Sequence, residues 1–592
     1  MTACDRIGPH WRLLAALCVA LWPGMAPAEN GVAPGASPER PSAVELARRN
    51  ALALAPRPKR VVDLQVFRAE QTATAADGTR LKLTALNPAA NGWFLLDVSW
   101  PGAEPEAYHL ENPAPRTQGI ALTDGPDPAI ALTGAQSTQH CRPWAGATPQ
   151  LATARATGLP FAELCGGRLY LRNRVAGTRT SLERTAEFLR DNVAFGESLV
   201  GFVKNTLYKD RYLASGEILG TAEAGRAAEG LGRARLRDDP VMYTTMTFDL
   251  VGANPERMEM GAWYAVEGAP GVYASALHPG MIDPAILRAK DGPRTLDGIE
   301  SRADVYLVGF DLSLFEIGYE TGTEHPRLDW SPRPRDRTPG LPGPDGIGAP
   351  APLAPTGLLP PSAARRAAAT FTGGFKRSHG AFRFGPRALE NHGYHYGFVV
   401  HGTVLSRLQP DLATFYVLTD GTVGMKTWAR EDDRLLPRIR FARQNGVPLV
   451  APDSATGKGV PGPLVANWLE GNWSGSAEAE LRTLRAGACL RPGPNGPFLV
   501  YAWFSTATPS AMARVFQAYG CDYAMLLDMN AIEHTYVAVY TPDGEGRIDT
   551  RHLVAGMAQI DPPSRDGRRV PRFIGAADNR DFFYLLRKET RE

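Results

Sequence analysis

The chain has 592 residues, 44% of them hydrophobic and 21% charged, with 61 Gly and 50 Pro, which is enough for two or more domains with real cores and excludes a disordered tail. Its 64 basic residues stand against 62 acidic ones, and a formal charge of +2 argues against a dedicated nucleic-acid binder, which must concentrate positive charge to displace counterions. Six Cys are too few for a disulfide-stapled miniprotein.

In chain order, Arg6 and Arg12 precede an apolar run from Leu13 to Trp22, and Ala26-Pro27-Ala28 supplies the small residues of a cleavage site. This reads as a secretory signal, residues 1–28, with an uncleaved anchor as the competing reading. The run is roughly half the ~20 residues a helix needs to span a bilayer. The expectation is therefore a secreted or periplasmic protein with no membrane span after cleavage. Removing the signal leaves four cysteines in two sequence-local pairs, Cys141 with Cys165 and Cys489 with Cys521. An even count in an exported chain suggests two disulfides, each adding roughly 3 kcal/mol in the chain-entropy model. Zinc is the alternative, although no CxxC spacing occurs.

Residues 29–58, rich in Ala, Pro, Glu and Arg, read as a flexible leader. A β-rich N-terminal domain with helices is expected over 59–220. Its strands are Val61–Phe67, Arg80–Thr84, Trp93–Val98 and Arg168–Arg172, with Asp77-Gly78 and Asn91-Gly92 as turn dipeptides. Thr180-Ser181-Leu182-Glu183 has the capping-box spacing that starts a helix, and a second helix is expected over 199–207. A second module, 240–592, opens near Met242 with strands at Trp263–Val266 and Val305–Phe310. The proline-dense stretch 331–361 is expected as a long surface insertion rather than a linker. Beyond it, Ala413–Leu418 and Thr422–Trp428 form a hairpin about Asp420-Gly421. Strand Phe498–Trp503, a helix capped by Thr508 with Pro509 at its first position and ended by Gly520, and strand Tyr523–Asp528 then follow one another. The expected fold class is α+β.

Four features could carry chemistry. The apolar strand ending in Asp528-Met529-Asn530 delivers polar side chains to a sheet edge, where concave sites are commonly built; the bland reading is an Asp capping the next turn. Thr372-Gly373-Gly374 follows an apolar run, and paired glycines either form an anion-binding nest or simply turn. Arg438, Arg440 and Arg443, with Asn445, lie on one strand-like segment, either forking onto phosphate or carboxylate or forming a solvated face. His379, His392, His395 and His401 fall within 23 residues and suit acid/base work, metal ligation or an exposed loop. GxSxG, P-loop and HExxH motifs are absent.

In order, Gly271-Val272-Tyr273, Asp304-Val305-Tyr306-Leu307, Thr372-Gly373-Gly374-Phe375, the Asp420-Gly421 hairpin and Leu527-Asp528-Met529-Asn530 resemble the phosphodiester glycosidase family over residues 260 to 541. Two departures are Thr372, where an amide side chain is usual, and Met529-Asn530-Ala531, where glycines are common. The resemblance implies a mixed α/β domain over 240–592 and a secreted hydrolase that cleaves a sugar-1-phosphodiester, for example one linked to N-acetylglucosamine, on an envelope or extracellular glycan. Expulsion of a phosphate monoester calls for charge stabilisation, which Arg438, Arg440, Arg443, Asn445, Asn530, Thr372 and the Gly373 and Gly374 amides would supply. The cationic anomeric centre needs a facing carboxylate, assigned to Asp528, with Glu533 and His534 as partner acid/base. The expected partner is a glycan or sugar phosphate; no cofactor or metal ligand set is predicted, and a divalent metal stays open. A non-catalytic glycan-binding or envelope-assembly protein is the alternative.

Overall fold

The computed structural model describes residues 59–181, 183–185, 188, 218–221, 229–289, 293–326, 347–375, 396–467, 482–542 and 548–589. The expected signal, leader and second helix, and His379, His392 and His395, lie outside them. Among the described residues the chain forms six sheets, of six, three, three, eight, five and five strands. Every pairing of neighbouring strands in these sheets is antiparallel. The fold is therefore β-rich, which corrects the α+β expectation and its mixed α/β second domain.

The unit that suggested a mixed class exists but is isolated. Strand Phe498–Ala507, helix Pro509–Ala518 and strand Tyr523–Met529 follow one another, with Thr508 Oγ1 accepting from the Ala511 amide at 3.3 Å and Gly520 ending the helix at φ +68°. In the sheet, however, strand Thr483–Arg491 lies between the two strands and pairs antiparallel with both. The helix carries the chain over this intervening neighbour. It is the longest helix described, and among the described residues no helix is long and apolar enough to cross a membrane.

At the N-terminal end, Val61–Leu64 forms a 3-10 turn instead of the expected strand. Side-chain hydrogen bonding overrides β-branched propensity here. Asp63 Oδ2 accepts from the Lys59 and Arg60 amides at 2.9 and 3.0 Å, and the Gln65 carboxamide pairs with both backbone groups of Val404. The turn dipeptides fall as expected, with Gly78 at φ +85°, Asn91 at +51° and Gly421 at +90°.

Strand Trp93–Ser99 is buried on both faces, for two different reasons. Phe94, Leu96 and Val98 enter the core of the six-stranded sheet, whereas Trp93 and Leu95 enter the large core shared with the rest of the chain. Residues 347–361, the end of the proline-dense stretch, belong to that junction too. Leu353, Ala354, Leu358 and Leu359 are buried, and the Ala354 carbonyl accepts from Arg172 Nε at 3.1 Å. Residues 331–346 of the expected insertion lie outside the described residues; 347–361 pack inward, and without a strand of their own their backbone groups serve as partners for the N-terminal sheet.

Both expected disulfides are formed, Cys141–Cys165 and Cys489–Cys521, with Cα separations of 5.8 and 6.0 Å, so zinc is set aside for these cysteines.

Candidate functional site

Strand Tyr523–Met529 is wholly buried in the eight-stranded sheet, and the turn after it hands the chain to strand Val537–Pro542 of a five-stranded sheet. Asp528 and His534 therefore stand where two sheets meet. Asn530 makes the bend possible at φ +79°, a left-handed conformation that Asn tolerates, while its amide donates to the Leu484 carbonyl at 2.8 Å. A small apolar void lined by Leu527, Met525, Phe371 and Phe583 lies on the opposite face of the strand from Asp528.

From the other side comes a segment that sequence reasoning missed, Asp578-Asn579-Arg580-Asp581, all buried and immediately ahead of strand Phe582–Arg587. Arg580 is the hub. Its Nη1 donates to Asp528 Oδ2, and its Nη2 donates to Glu183 Oε1 at 3.2 Å and faces His534 Nε2. Burial opposes the charge, yet the carboxylates of Asp528, Glu183, Asp578 and Glu533 hold the guanidinium above its ordinary pKa. His534 Nδ1 lies 2.7 Å from the Met529 carbonyl, so that nitrogen carries the proton and Nε2 is left as an acceptor toward Arg580. The backbone amide of Met529 donates to Asp528 Oδ1 at 2.9 Å.

Glu533 is buried, and its Oε1 accepts from Thr180 Oγ1 at 3.3 Å. Arg572 fixes the turn that carries Glu533 and His534: its Nη1 donates to the Glu533 carbonyl at 2.7 Å, and its fork holds Asp578 at 2.8 and 3.1 Å. The capping spacing at Thr180 is used, since the Glu183 amide donates to Thr180 Oγ1 at 3.1 Å. The Glu183 carboxylate meanwhile crosses to Arg580 and to Asn579.

The other sequence candidates divide. The Thr372 hydroxyl donates to the His534 carbonyl at 2.5 Å, which ties it to the site turn. The Gly373 amide donates to the Asp581 carbonyl at 2.9 Å and is not available to an anion. The glycine pair serves close packing instead: a Cβ on Gly374 would lie 2.9 Å from Asn445 Cγ and 3.1 Å from Arg443 Nη2. Arg443 is buried and held by Asp581 at 2.5 Å, with Nη2 donating to the Phe375 carbonyl. Asp581 accepts from Tyr319 as well, and the Arg443 charge keeps its carboxyl below the usual range against the opposing effect of burial. Asn445 is a staple, donating to the Leu526 and Leu527 carbonyls at 2.7 and 3.0 Å and accepting from the Phe375 amide.

Two arginines fall outside this group. Arg438 is exposed and pairs with Asp420 at 2.9 Å. Arg440 is the extra residue of a β-bulge, because Val417 pairs with Phe441 and Leu418 with Ile439. His401 sits at φ +46°, buried against Trp93 and Phe441, far from acid/base duty. Arg485, also missed, is buried beside Met529 Sδ and pushed down to about 9 by burial that Glu300 only partly offsets. Among the described residues no group of three His, Cys, Asp or Glu is gathered as a metal set.

The signal that could have found Arg580 is the one that found Asp528: a short polar run abutting an apolar strand. Gly357 marks the same segment, at φ +60° with the Asp578 carbonyl overlapping the place its Cβ would occupy. Gly357→Ala is expected to lower the urea unfolding free energy by well over ~1 kcal/mol, since strain and overlap act together; a midpoint equal to wild type would show that the segment can shift freely.

No protein-family model matches the chain, and no curated protein matches it. Among solved structures, the catalytic domain of zebrafish N-acetylglucosamine-1-phosphodiester alpha-N-acetylglucosaminidase, auto-inhibited by its pro-peptide, is 12% identical, with 55% of this chain and 85% of that chain covered at a TM-score of 0.28. A hypothetical protein from Synechocystis is 11% identical, with 88% of this chain and 99% of that chain covered at a TM-score of 0.26. Likenesses of this size are too low to establish a common fold.

Proposed function

We propose that the protein is a hydrolase of phosphodiester-linked sugars whose working groups are Asp528 and Arg580. The observation that supports this reading is the meeting of Asp528, His534 and Arg580 at one sheet junction, with the buried Arg580 Nε still lacking a hydrogen-bond partner among the described residues. A buried donor without a partner is costly, and a polar ligand would relieve it. In the reaction the bond from the anomeric carbon to the phosphate oxygen breaks, its electron pair leaves with the phosphate monoester, and a water oxygen ends on that carbon. Asp528 takes the water proton or first bonds the carbon as nucleophile. Arg580 stabilises the departing anion. His534, held as an acceptor, orients Arg580 and does not donate a proton; Glu533 accepts from Thr180 Oγ1. The two disulfides fit a location outside a reducing cytoplasm.

A non-catalytic glycan-binding role has one observation in its favour: Asp528, Glu533 and Arg580 are only 4, 5 and 2% exposed, and Asp528 is already paired. The separating experiment is Asp528→Asn. On the hydrolase reading, release of N-acetylglucosamine from a 1-phosphodiester falls at least ~10²-fold. Stability drops by only about 1–3 kcal/mol, because Arg580 keeps Glu183. A wild-type protein inert across a panel of sugar phosphodiesters, yet retaining glycan affinity, would favour the binding role.

A further inference from the structure

The N-terminal sheet meets the rest of the chain through an uneven charge group. Trp93, Glu111 and Tyr170 are cross-strand partners, so their side chains share one face with His109 and Arg172. Against that face stand Glu320 and Thr356. Arg172 Nη1 donates to Glu111 Oε2 at 2.7 Å, and its Nη2 donates to Glu320 Oε1 at 3.2 Å and Thr356 Oγ1 at 3.1 Å. One guanidinium thus serves two carboxylates, and all three side chains are essentially inaccessible, at 0% for Arg172, 2% for Glu111 and 0% for Glu320. Glu320 is the better satisfied, since it also accepts from the Thr321 amide at 3.0 Å.

We propose that this interface holds a proton on Glu111, and that docking of the N-terminal sheet onto the rest of the chain loosens as the proton leaves. Two buried carboxylates cannot both stay ionised on one cation without cost. Burial and the Glu320 charge outweigh Arg172 and push Glu111 up to about 7. The other titratable and charged groups around it are His109, His401, Tyr170, Tyr584 and Arg440. The tyrosines are raised and stay neutral. Burial holds both histidines well below their ordinary range, so they are neutral as well.

The signs separate the contributions. Glu111, raised from its ordinary 4.5, contributes stability that is complete below about 4.5 and lost as pH climbs through 7. His109 and His401, being depressed, act oppositely and cost stability as pH falls below their ordinary 6.5. The difference between wild type and Glu111→Gln therefore isolates Glu111. Between pH 5 and 8 the wild-type unfolding constant should rise relative to that of the variant by about 70-fold, the part of the Glu111 displacement that falls within this window. Hydrogen exchange, corrected for its intrinsic pH dependence, should accelerate over the same range in peptides covering 107–112 and 169–173, and not in 523–529. Glu320→Gln, which removes the opposing charge, should flatten the wild-type curve and serves if Glu111→Gln does not fold. Parallel pH curves for wild type and Glu111→Gln, or exchange that accelerates equally in 523–529, would overturn the proposal.

Discussion

Replacing Arg172 by Ala is expected to lower the unfolding free energy by about 3–5 kcal/mol, the cost of leaving buried charges without their partner. The magnitude follows from what the guanidinium does. It binds Glu111, Glu320, Thr356 and the Ala354 carbonyl, and it lies 4.6 Å over the Trp93 ring and 5.2 Å over that of Phe161. Removing it strands the Glu320 carboxylate, leaves the proton-bearing Glu111 without its donor, and opens the packing between the N-terminal sheet and the 347–361 layer at once. Arg172→Met combined with Glu111→Gln and Glu320→Gln should recover most of the loss, because well-packed neutral groups often replace buried ions at little cost. Urea unfolding of the single and triple variants measures both. A silent single variant would mean that the two parts are not coupled through this group.

The second large effect is at Arg580. Arg580→Ala takes from buried Asp528 and Glu183 the guanidinium both accept from and removes the donor that faces His534, so a loss of about 3–5 kcal/mol is expected together with loss of any sugar-phosphodiester hydrolysis. Arg580→Lys restores a charge but not a fork able to reach Asp528, Glu183 and His534 from one planar group. It should regain part of the stability and little of the activity. Equal stability of wild type and Arg580→Ala in urea would remove Arg580 as the tie between the segments; full activity in Arg580→Lys would remove it from the reaction.

Local chemistry made much of the fold legible in the sequence. The turn at Asp77-Gly78, the hairpin about Asp420-Gly421, the Thr508 cap, the strand into Asp528 and the sequence-local disulfides rest on short-range signals. The misread class came from giving general weight to one helix crossover, when Thr483–Arg491 inserts between the two strands it joins. Val61–Leu64 was misread because β-branched propensity outweighed the local cap of Asp63 on Lys59 and Arg60, and the tie of the neighbouring Gln65 to Val404 is remote in sequence. The site was half visible. Asp528 and Thr372 announce themselves as polar ends of apolar strands, whereas Arg580 and Glu183 acquire meaning only when segments nearly 400 residues apart meet, as Glu183 and Arg580 do. Arg440 and Arg443, three positions apart, face opposite ways on a strand, and what surrounds each one, a bulge for Arg440 and Asp581 for Arg443, is set by partners remote in sequence.

The double burial of strand Trp93–Ser99 bears on how the chain reaches its folded state. The N-terminal sheet is complete in sequence at Arg172, long before Glu320 or His401 has been made, so the face with Trp93 and Leu95 exists ahead of anything that can cover it. A bare apolar sheet face is a template for sticking to other chains. Glu111 and Arg172 in the middle of that face are charged and hydrated while it waits, which makes it a poor surface for self-association. The same two residues that make the finished junction sensitive to protons thus act, before the junction forms, as gatekeepers against aggregation.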